Sequence, residues 1–165
     1  MSARRAGRLA LAGIAVLAAA ALAAVLAGPS MGLFAGTRPE ALGFAGGRFA
    51  PGDRRPNWVS STVAREDAAH FVPPLAFAGD AALAWKRLVE AIAATPGATL
   101  VTRTPSYLHA EFASRRLGFV DDAEFALDAA ASVIHVKSAA RLGIRDFGVN
   151  RERVERLRRA LADAG

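Results

Sequence analysis

Three stretches of alternating apolar and polar residues, between residues 107 and 137, constrain the fold of this chain more than any other feature. Successive side chains of a strand point to opposite faces, so alternation predicts strands with one apolar and one polar face. The predicted strands are Tyr107–Ser114, Phe119–Leu127 and Val133–Lys137. The intervening segments, residues 115–118 and 128–132, are short enough for hairpins. We therefore expect an antiparallel sheet packed on one face only.

One further strand and two amphipathic helices are predicted around this region. Ala98–Thr104 supplies the strand, while Asp80 and Asn150 are suited to cap the two helices, the second of which covers Arg151–Ala164. The apolar stripes of the helices are Trp85, Leu88, Val89 and Ile92 in the first and Val154, Leu157 and Leu161 in the second. Two helices covering the apolar face of a four-stranded antiparallel sheet make an α+β fold.

The N-terminus carries the pattern of a membrane segment. Arg4, Arg5 and Arg8 precede Leu9–Ala27, an unbroken apolar run without charge. Roughly 20 apolar residues span a bilayer, whereas the apolar core of a signal peptide has ~7–15. The length favours an uncleaved anchor over a cleaved signal, although cleavage after residue 27 is the alternative. In both cases the basic flank stays cytoplasmic, so the rest lies on the periplasmic side of the inner membrane.

This pattern divides the chain into three parts. Residues 1–27 form the anchor or signal, and residues 28–55, which are rich in Gly, Pro and Arg, form a linker. Residues 56–165 form the extracytoplasmic α+β domain.

Charge and cysteine content exclude several classes of function. The chain carries a net charge of +6, but without the three N-terminal arginines its 18 basic and 15 acidic residues leave only +3. That balance and the predicted export argue against a nucleic-acid partner and favour an envelope protein or lipid. The absence of cysteine excludes disulfides, zinc-thiolate sites and thiol nucleophiles. We expect no cofactor.

The polar face of the predicted sheet is the candidate site. Its residues are His109, Glu111, Asp122, Glu124, His135 and Lys137. Carboxylates and imidazoles are suited to a divalent metal or to acid–base chemistry. The alternative is a solvated face with cross-strand charge pairs, either Glu124 with Lys137, or Glu124 with His135 and Asp122 with Lys137. Because no fixed ligand spacing such as HExxH is present, we expect neither a bound metal nor catalysis here.

A second set of polar residues is predicted to be structural: Asp121, Arg141, Asp146 and Asn150. Alternation turns Asp121 into the apolar layer, where a carboxylate needs a cation, and turns Asp122 to the surface. Candidate partners for Asp121 are Arg141, Arg145 and Arg151, close to the tight turn that precedes the last helix.

Several short motifs occur together in order. They are Pro56-Asn57 with Val59-Ser60-Ser61, Tyr107–Phe112, Gly118–Asp122 with Glu124-Phe125, Ser138-Ala139 with Arg141, and Asp146–Arg151. From about Pro51 onward the chain thereby resembles an uncharacterised bacterial and plastid family, domain of unknown function fourteen ninety-nine. The resemblance implies an envelope or plastid protein and carries over no catalytic residue. The family often has two cysteines where this chain has Gly52 and Trp58, which implies a paired role, such as a disulfide, that this chain dispenses with.

Taken together, these patterns predict a membrane-anchored envelope domain that binds a ligand or partner and is not an enzyme. A small hydrolase or metal-dependent enzyme using the histidine and acidic face is the alternative. A third interpretation, a carrier of lipid or another apolar ligand, requires a gap between the sheet and the helices.

Overall fold

A computed structural model describes residues 3–28 and 31–162 of the chain, with the side chains of residues 3–6 and 10 excepted. It has an α+β architecture, as predicted. The elements are α1 (Ala3–Ala27), β1 (Phe44–Ala45), β2 (Arg48–Phe49), β3 (Trp58–Ser60), β4 (Leu75–Ala76), α2 (Ala81–Ala93), β5 (Ala98–Arg103), β6 (Tyr107–Ala113), β7 (Val120–Asp128), β8 (Val133–Ala140) and α3 (Val149–Ala162).

The main sheet has six strands rather than the predicted four. Its order is β3-β8-β7-β6-β5, β4 also pairs with β8, and every pairing is antiparallel. The four predicted strands correspond to β5–β8. Strands β3 and β4 have three and two residues, too few to show an alternating pattern. Strands β1 and β2 form a separate two-stranded sheet.

Helices α2 and α3 cover the apolar face of the main sheet. The register places Leu108 opposite Phe125 and Phe125 opposite Val136, and all three side chains are fully buried. The predicted stripes of both helices pack against this row. Burial of each large apolar side chain contributes about 1.5–3 kcal/mol, so this layer is the main source of stability. Asp80 caps α2 as predicted, since its Oδ1 accepts a hydrogen bond from the Leu83 amide at 2.7 Å.

The start of α3 differs from the prediction. The helix begins at Val149, and Asp146 rather than Asn150 supplies the cap. The carboxylate of Asp146 accepts hydrogen bonds from the amides of Gly148 at 3.2 Å and Asn150 at 2.9 Å. Asn150 lies inside the first helical turn, because its side chain is held by tertiary hydrogen bonds to Ser138 and Asn57.

The region predicted as a linker includes a segment that packs on the polar face of the sheet. Residues 34–50, which contain β1 and β2, contact this face through Arg38, Gly43, Phe44 and Ala50. We call residues 34–50 the cover segment. The domain therefore has three layers: helices, main sheet and cover segment.

The two positions at which the resemblance implies a disulfide adjoin each other in space. A Cβ atom added to Gly52 would overlap the indole ring of Trp58. Trp58 itself is buried, donates its Nε1–H to the carbonyl of Asp53 at 2.8 Å, and stacks on His70 with ring centroids 4.1 Å apart. A close packing contact thus joins the chain after the cover segment to β3 without a covalent bond.

Candidate functional site

All six candidate residues lie on one face of the main sheet. The register pairs His109 with Glu124, Glu124 with Lys137, and Glu111 with Asp122. Of the two registers considered from the sequence, strands β7 and β8 thus adopt the one that pairs Glu124 with Lys137. With Arg141, which follows β8, these residues form what we call the polar layer.

The expectation that this face is solvated was wrong. His109 is 2% exposed, Asp122 3% and Glu124 2%. The cover segment excludes water from them, and its contacts span more than 70 residues in sequence, so no local pattern in the strands predicts it. Asp122 is therefore a buried carboxylate and not a surface residue.

Asp122 is the centre of the polar layer. Its Oδ1 accepts hydrogen bonds from His109 Nε2 and Arg141 Nη2, each at 2.8 Å, and its Oδ2 accepts one from Arg141 Nε at 2.7 Å. Burial alone would raise the pKa of Asp122, but the hydrogen bonds from Arg141 and His109 outweigh it and hold the pKa below its ordinary value. Arg141, proposed from the sequence as a partner of Asp121, instead pairs with Asp122 on the opposite face.

Glu111 extends this network toward the cover segment. Its carboxylate accepts hydrogen bonds from Arg141 and, at 2.6 Å, from Arg38. Burial opposes ionisation of Glu111, but the two guanidinium groups prevail and lower its pKa. Arg38 is the only residue of this network contributed by the cover segment within the described chain, and sequence patterns did not indicate it.

Glu124 holds a second part of the polar layer. It accepts hydrogen bonds from the Tyr107 hydroxyl at 2.8 Å and the Gly43 amide at 2.6 Å, and Lys137 Nζ lies 3.9 Å away. Lys137 also donates to the carbonyl of Ala50 at 2.7 Å. Burial lowers the pKa of Lys137, while Glu124 opposes that shift. Burial, followed by the hydrogen bond to Glu124, raises the pKa of Tyr107.

His135 lies apart from these charges. Its Nδ1 is 3.3 Å from Ser61 Oγ, and its ring stacks on Phe44 with centroids 5.4 Å apart. The hydroxyl of Ser61 also accepts a hydrogen bond from the Val136 amide at 2.9 Å, which joins β8 to the chain after β3.

Three residues of the polar layer could in principle hold a metal ion. His109, Glu111 and Asp122 each offer a ligand atom, and these atoms lie within 4.8 Å of one another. However, Arg141 binds both carboxylates. A cation at this position would have to displace a guanidinium group that already neutralises the carboxylates, so the arrangement is suited to a structural clamp.

Asp121 faces the helix layer, as predicted, but its partner is Arg153 of α3 at 2.6 Å. Neither Arg141, Arg145 nor Arg151 fills that role. Burial raises the pKa of Asp121, and the charge of Arg153 opposes the shift. Position 153 lies on the same helical stripe as Val154 and Leu157, and an arginine on an apolar stripe is the signal that could have found it.

Arg153 joins four structural elements. Its Nη1 donates to Asn150 Oδ1 and, at 2.8 Å, to Ser138 Oγ, and its guanidinium lies 4.5 Å from the centroid of the Phe112 ring. The predicted structural role of Asp121 therefore operates between β7 and α3, and Asn150 contributes to the same cluster.

A cavity of about 440 Å³ opens between the helix layer and the sheet, where β6 and β8 end and where β7 and α3 begin. We call it the end pocket. Its apolar walls include Pro96, Phe112, Phe119, Val120, Leu142 and Val149, and its basic residues are Arg115, Arg145, Arg153 and Arg156. Sequence patterns did not predict it, because it is assembled from loops and element ends.

The basic residues of the end pocket differ in their pairing. Arg153 is bound to Asp121, and Arg156 pairs with Glu152 at 2.9 Å. Arg115 and Arg145 are exposed and form no ion pair or side-chain hydrogen bond with any described residue. Two cationic groups at the mouth of an apolar cavity are thus free to bind an anion.

The fold and these two regions define a small α+β domain with a sealed polar layer and an open apolar pocket, preceded by one apolar helix. Residues Gly7–Ala27 of that helix have a mean hydropathy of 2.7, which suffices to cross a membrane, although an N-terminal signal sequence has the same properties. Residues 49–161 match the family described as "Protein of unknown function (DUF1499)", and the chain belongs to that family. Comparison with curated proteins and with solved structures finds no match.

Proposed function

We propose that this protein is a membrane-anchored, extracytoplasmic binding domain whose ligand is an acidic amphiphile held in the end pocket. The apolar chain of the ligand would occupy the cavity, and its acidic headgroup would contact Arg115 and Arg145. The observation that carries the proposal is the open cavity of about 440 Å³ between the sheet and the helices. This is the gap that the apolar-carrier interpretation of the sequence requires.

The size and chemistry of the end pocket support a small ligand. Ligand sites in proteins are mostly apolar cavities of about 300–1,000 Å³ with a few polar groups that orient the ligand. Here those groups include Arg115 and Arg145, and a planar guanidinium matches carboxylate and phosphate oxygens in a bidentate geometry. The acidic residues of the lining already have partners, since Asp121 pairs with Arg153 and Asp146 accepts hydrogen bonds from the start of α3. An apolar wall with a cationic mouth favours a ligand with an apolar chain and an anionic end.

The alternative, an enzyme acting through the polar layer, has less support. A general acid or base must reach a substrate proton, and His109, Asp122 and Glu124 are buried beneath the cover segment. Hydrogen-bond partners are already present for His109 Nε2, for both carboxylate oxygens of Asp122 and for Glu124 Oε2. The geometry therefore favours a structural role for the polar layer.

The anchor is the second element of the proposal. The apolar length of α1 and its arginine flank support an N-terminus in the cytoplasm and a domain in the periplasm. A reporter fused after Gly165 should be active only if it works in the exported compartment. Activity of a strictly cytosolic reporter at that position would contradict the topology.

Photo-crosslinking tests the ligand. The full chain, reconstituted in nanodiscs of neutral phospholipid, is exposed to a photoactivatable fatty acid, and labelled peptides are identified by mass spectrometry. We expect adducts on the less exposed walls of the end pocket, such as Phe112 and Val120. Val149→Trp should abolish them by filling the cavity, whereas Leu83→Trp should not, because this equally exposed side chain (45% against 43%) lies outside the pocket.

The headgroup is tested with a matched pair of ligands. A photoactivatable fatty alcohol of the same chain length lacks the carboxylate, so it should label the pocket severalfold less than the acid. Arg115→Glu with Arg145→Glu should remove that preference without affecting folding, because neither side chain has a partner among the residues that the structure describes. Labelling spread evenly over the exposed surface, and unchanged by Val149→Trp, would overturn the proposal.

A further inference from the structure

The exposed apolar side chains of the domain are concentrated at one end. Within residues 44–162, the large apolar side chains that are exposed are Leu83, Phe119, Leu142, Ile144, Phe147 and Val149. All except Leu83 lie in the loops and helix start that surround the end pocket. An apolar patch of this kind on a small domain marks an interaction surface.

Phe147 is the most exposed of these side chains, at 94%, and it has a backbone φ of 54°. A bulky residue rarely adopts the left-handed region, so this conformation must be held by its surroundings. Asp146 holds it by accepting hydrogen bonds from the amides of Gly148 and Asn150 on its C-terminal side. The turn thus maintains an aromatic ring in the solvent-facing position at a cost in backbone strain.

The chain itself brings this end of the domain close to the end of α1. Phe34 packs on Phe119 with ring centroids 5.4 Å apart, and Gly36 lies against Leu142. Residues 28–34 join this contact to α1, and a chain of that length spans at most about 25 Å even when fully extended. If α1 crosses a membrane, the apolar end of the domain therefore lies near the bilayer surface.

The exposed charged side chains around the apolar side chains are basic, whereas Asp146 is half-buried and its carboxylate accepts hydrogen bonds from the start of α3. Arg115, Arg116 and Arg145 are exposed and lie beside Phe119, Ile144 and Phe147 in the same loops. Apolar side chains flanked by basic residues match the interfacial region of a membrane that contains acidic lipids, where the apolar groups enter the acyl boundary and the cations contact headgroups.

We infer that Phe119, Leu142, Ile144 and Phe147, the hydrophobic rim, dock the domain onto the bilayer from which α1 emerges, with acidic headgroups bound by Arg115, Arg116 and Arg145. This docking rests on the proposed anchor but not on a ligand in the end pocket. It would place the mouth of the pocket at the lipid surface.

Site-specific fluorescence tests the docking. Because the chain has no cysteine, Ile144→Cys introduces a single site for an environment-sensitive fluorophore. The labelled full chain is reconstituted in phosphatidylcholine vesicles containing phosphatidylglycerol, without free fatty acid, and nitroxide lipids labelled near the headgroup serve as quenchers. We expect severalfold stronger quenching at position 144 than in a Leu83→Cys control, and most of this quenching should be lost on adding Phe147→Asp.

Two outcomes separate the inference from the proposals on which it rests. If the chain does not float with the vesicles, the anchor is wrong, and the docking fails with it. If the chain floats but the fluorophore at position 144 is quenched no more than at position 83, the anchor stands and the docking is overturned. Vesicles of phosphatidylcholine alone should give weaker quenching than those with phosphatidylglycerol, and equal quenching would overturn the role of the arginines.

Discussion

Asp121 and Asp122 are neighbours in β7, yet they lie in opposite layers of the domain. Asp121 faces the helices and, within the described part of the chain, has a single ion-pair partner, Arg153. Asp122 faces the cover segment and is bound by both Arg141 and His109. The pKa of Asp121 is raised because burial prevails, whereas the pKa of Asp122 is lowered because its hydrogen bonds prevail. A buried carboxylate is thus stabilised in its charged form only where several donors converge on it.

The helix layer and the cover segment also differ in the kind of interaction that holds them to the sheet. The helix layer is held mainly by apolar burial, with one polar cluster around Arg153. The cover layer is held mainly by hydrogen bonds and ion pairs that join residues far apart in sequence. Loss of one polar group should therefore cost more stability on the cover side than on the helix side.

The largest expected effect comes from truncating the two aspartates separately. Asp122→Ala leaves Glu111 as the carboxylate paired with Arg141 and removes the hydrogen-bond partner of His109 Nε2. We therefore expect a loss of about 3–5 kcal/mol in the free energy of unfolding. Asp121→Ala should cost about 1.5–3 kcal/mol, since Arg153 keeps its bonds to Ser138 and Asn150. Chemical denaturation measures both. A larger loss for Asp121→Ala would show that the helix-side cluster is the more tightly coupled of the two.

An intermediate effect is expected where the chain leaves the cover segment. Gly52→Ala should destabilise the domain by about 1–3 kcal/mol, because the added Cβ overlaps the Trp58 indole and the ring is confined by Asp53 and His70. In a Trp58→Ala background the same substitution should cost almost nothing, as a double-mutant cycle would show. Equal costs in both backgrounds would mean that the backbone at Gly52, and not the indole, sets the requirement for glycine.

The smallest effect is a difference in pH dependence between the two aspartates. Asp122 has a pKa that is lowered on folding, so its ionised carboxylate stabilises the folded state at pH values above the unfolded pKa of 3.8. That contribution is lost as the pH falls through the pKa of the folded state. The raised pKa of Asp121 has the opposite effect on stability: its ionisation destabilises the folded state progressively as the pH rises above 3.8.

These signs can be measured with isosteric variants. For each variant, we consider the free energy of unfolding of the natural chain minus that of the variant. For Asp122→Asn this difference should rise with pH in the range below about 4. For Asp121→Asn it should fall as the pH rises above about 4. Denaturation series across this range provide both curves. Parallel curves would show that the two carboxylates have similar environments, against the contrast drawn from the structure.

Part of the candidate site was predictable. Alternation placed His109, Glu111, Asp122 and Glu124 on one face. Alternation and charge left two registers open between β7 and β8, and only the structure shows that Glu124 pairs with Lys137. The burial of that face was not predictable, because the cover segment consists of glycine-rich chain and two-residue strands without a periodic pattern. The end pocket was not predictable either, since its walls come from element ends that meet only in three dimensions.

By itself, the sequence determined the features that depend on local periodicity: strands β5–β8, the apolar stripes of α2 and α3, and the apolar run of α1. Side-chain alternation and helical spacing are properties of neighbouring residues, so they are readable along the chain. The tertiary structure decided what each face meets. In the folded chain, Asp121 pairs with Arg153 rather than with an arginine nearer in sequence, and Arg141 pairs with Asp122. Residues 34–50 lie over the polar layer. The physical reason is that a buried charge is satisfied by whichever donor the packed layers bring within hydrogen-bond distance, and that distance is unrelated to separation in sequence.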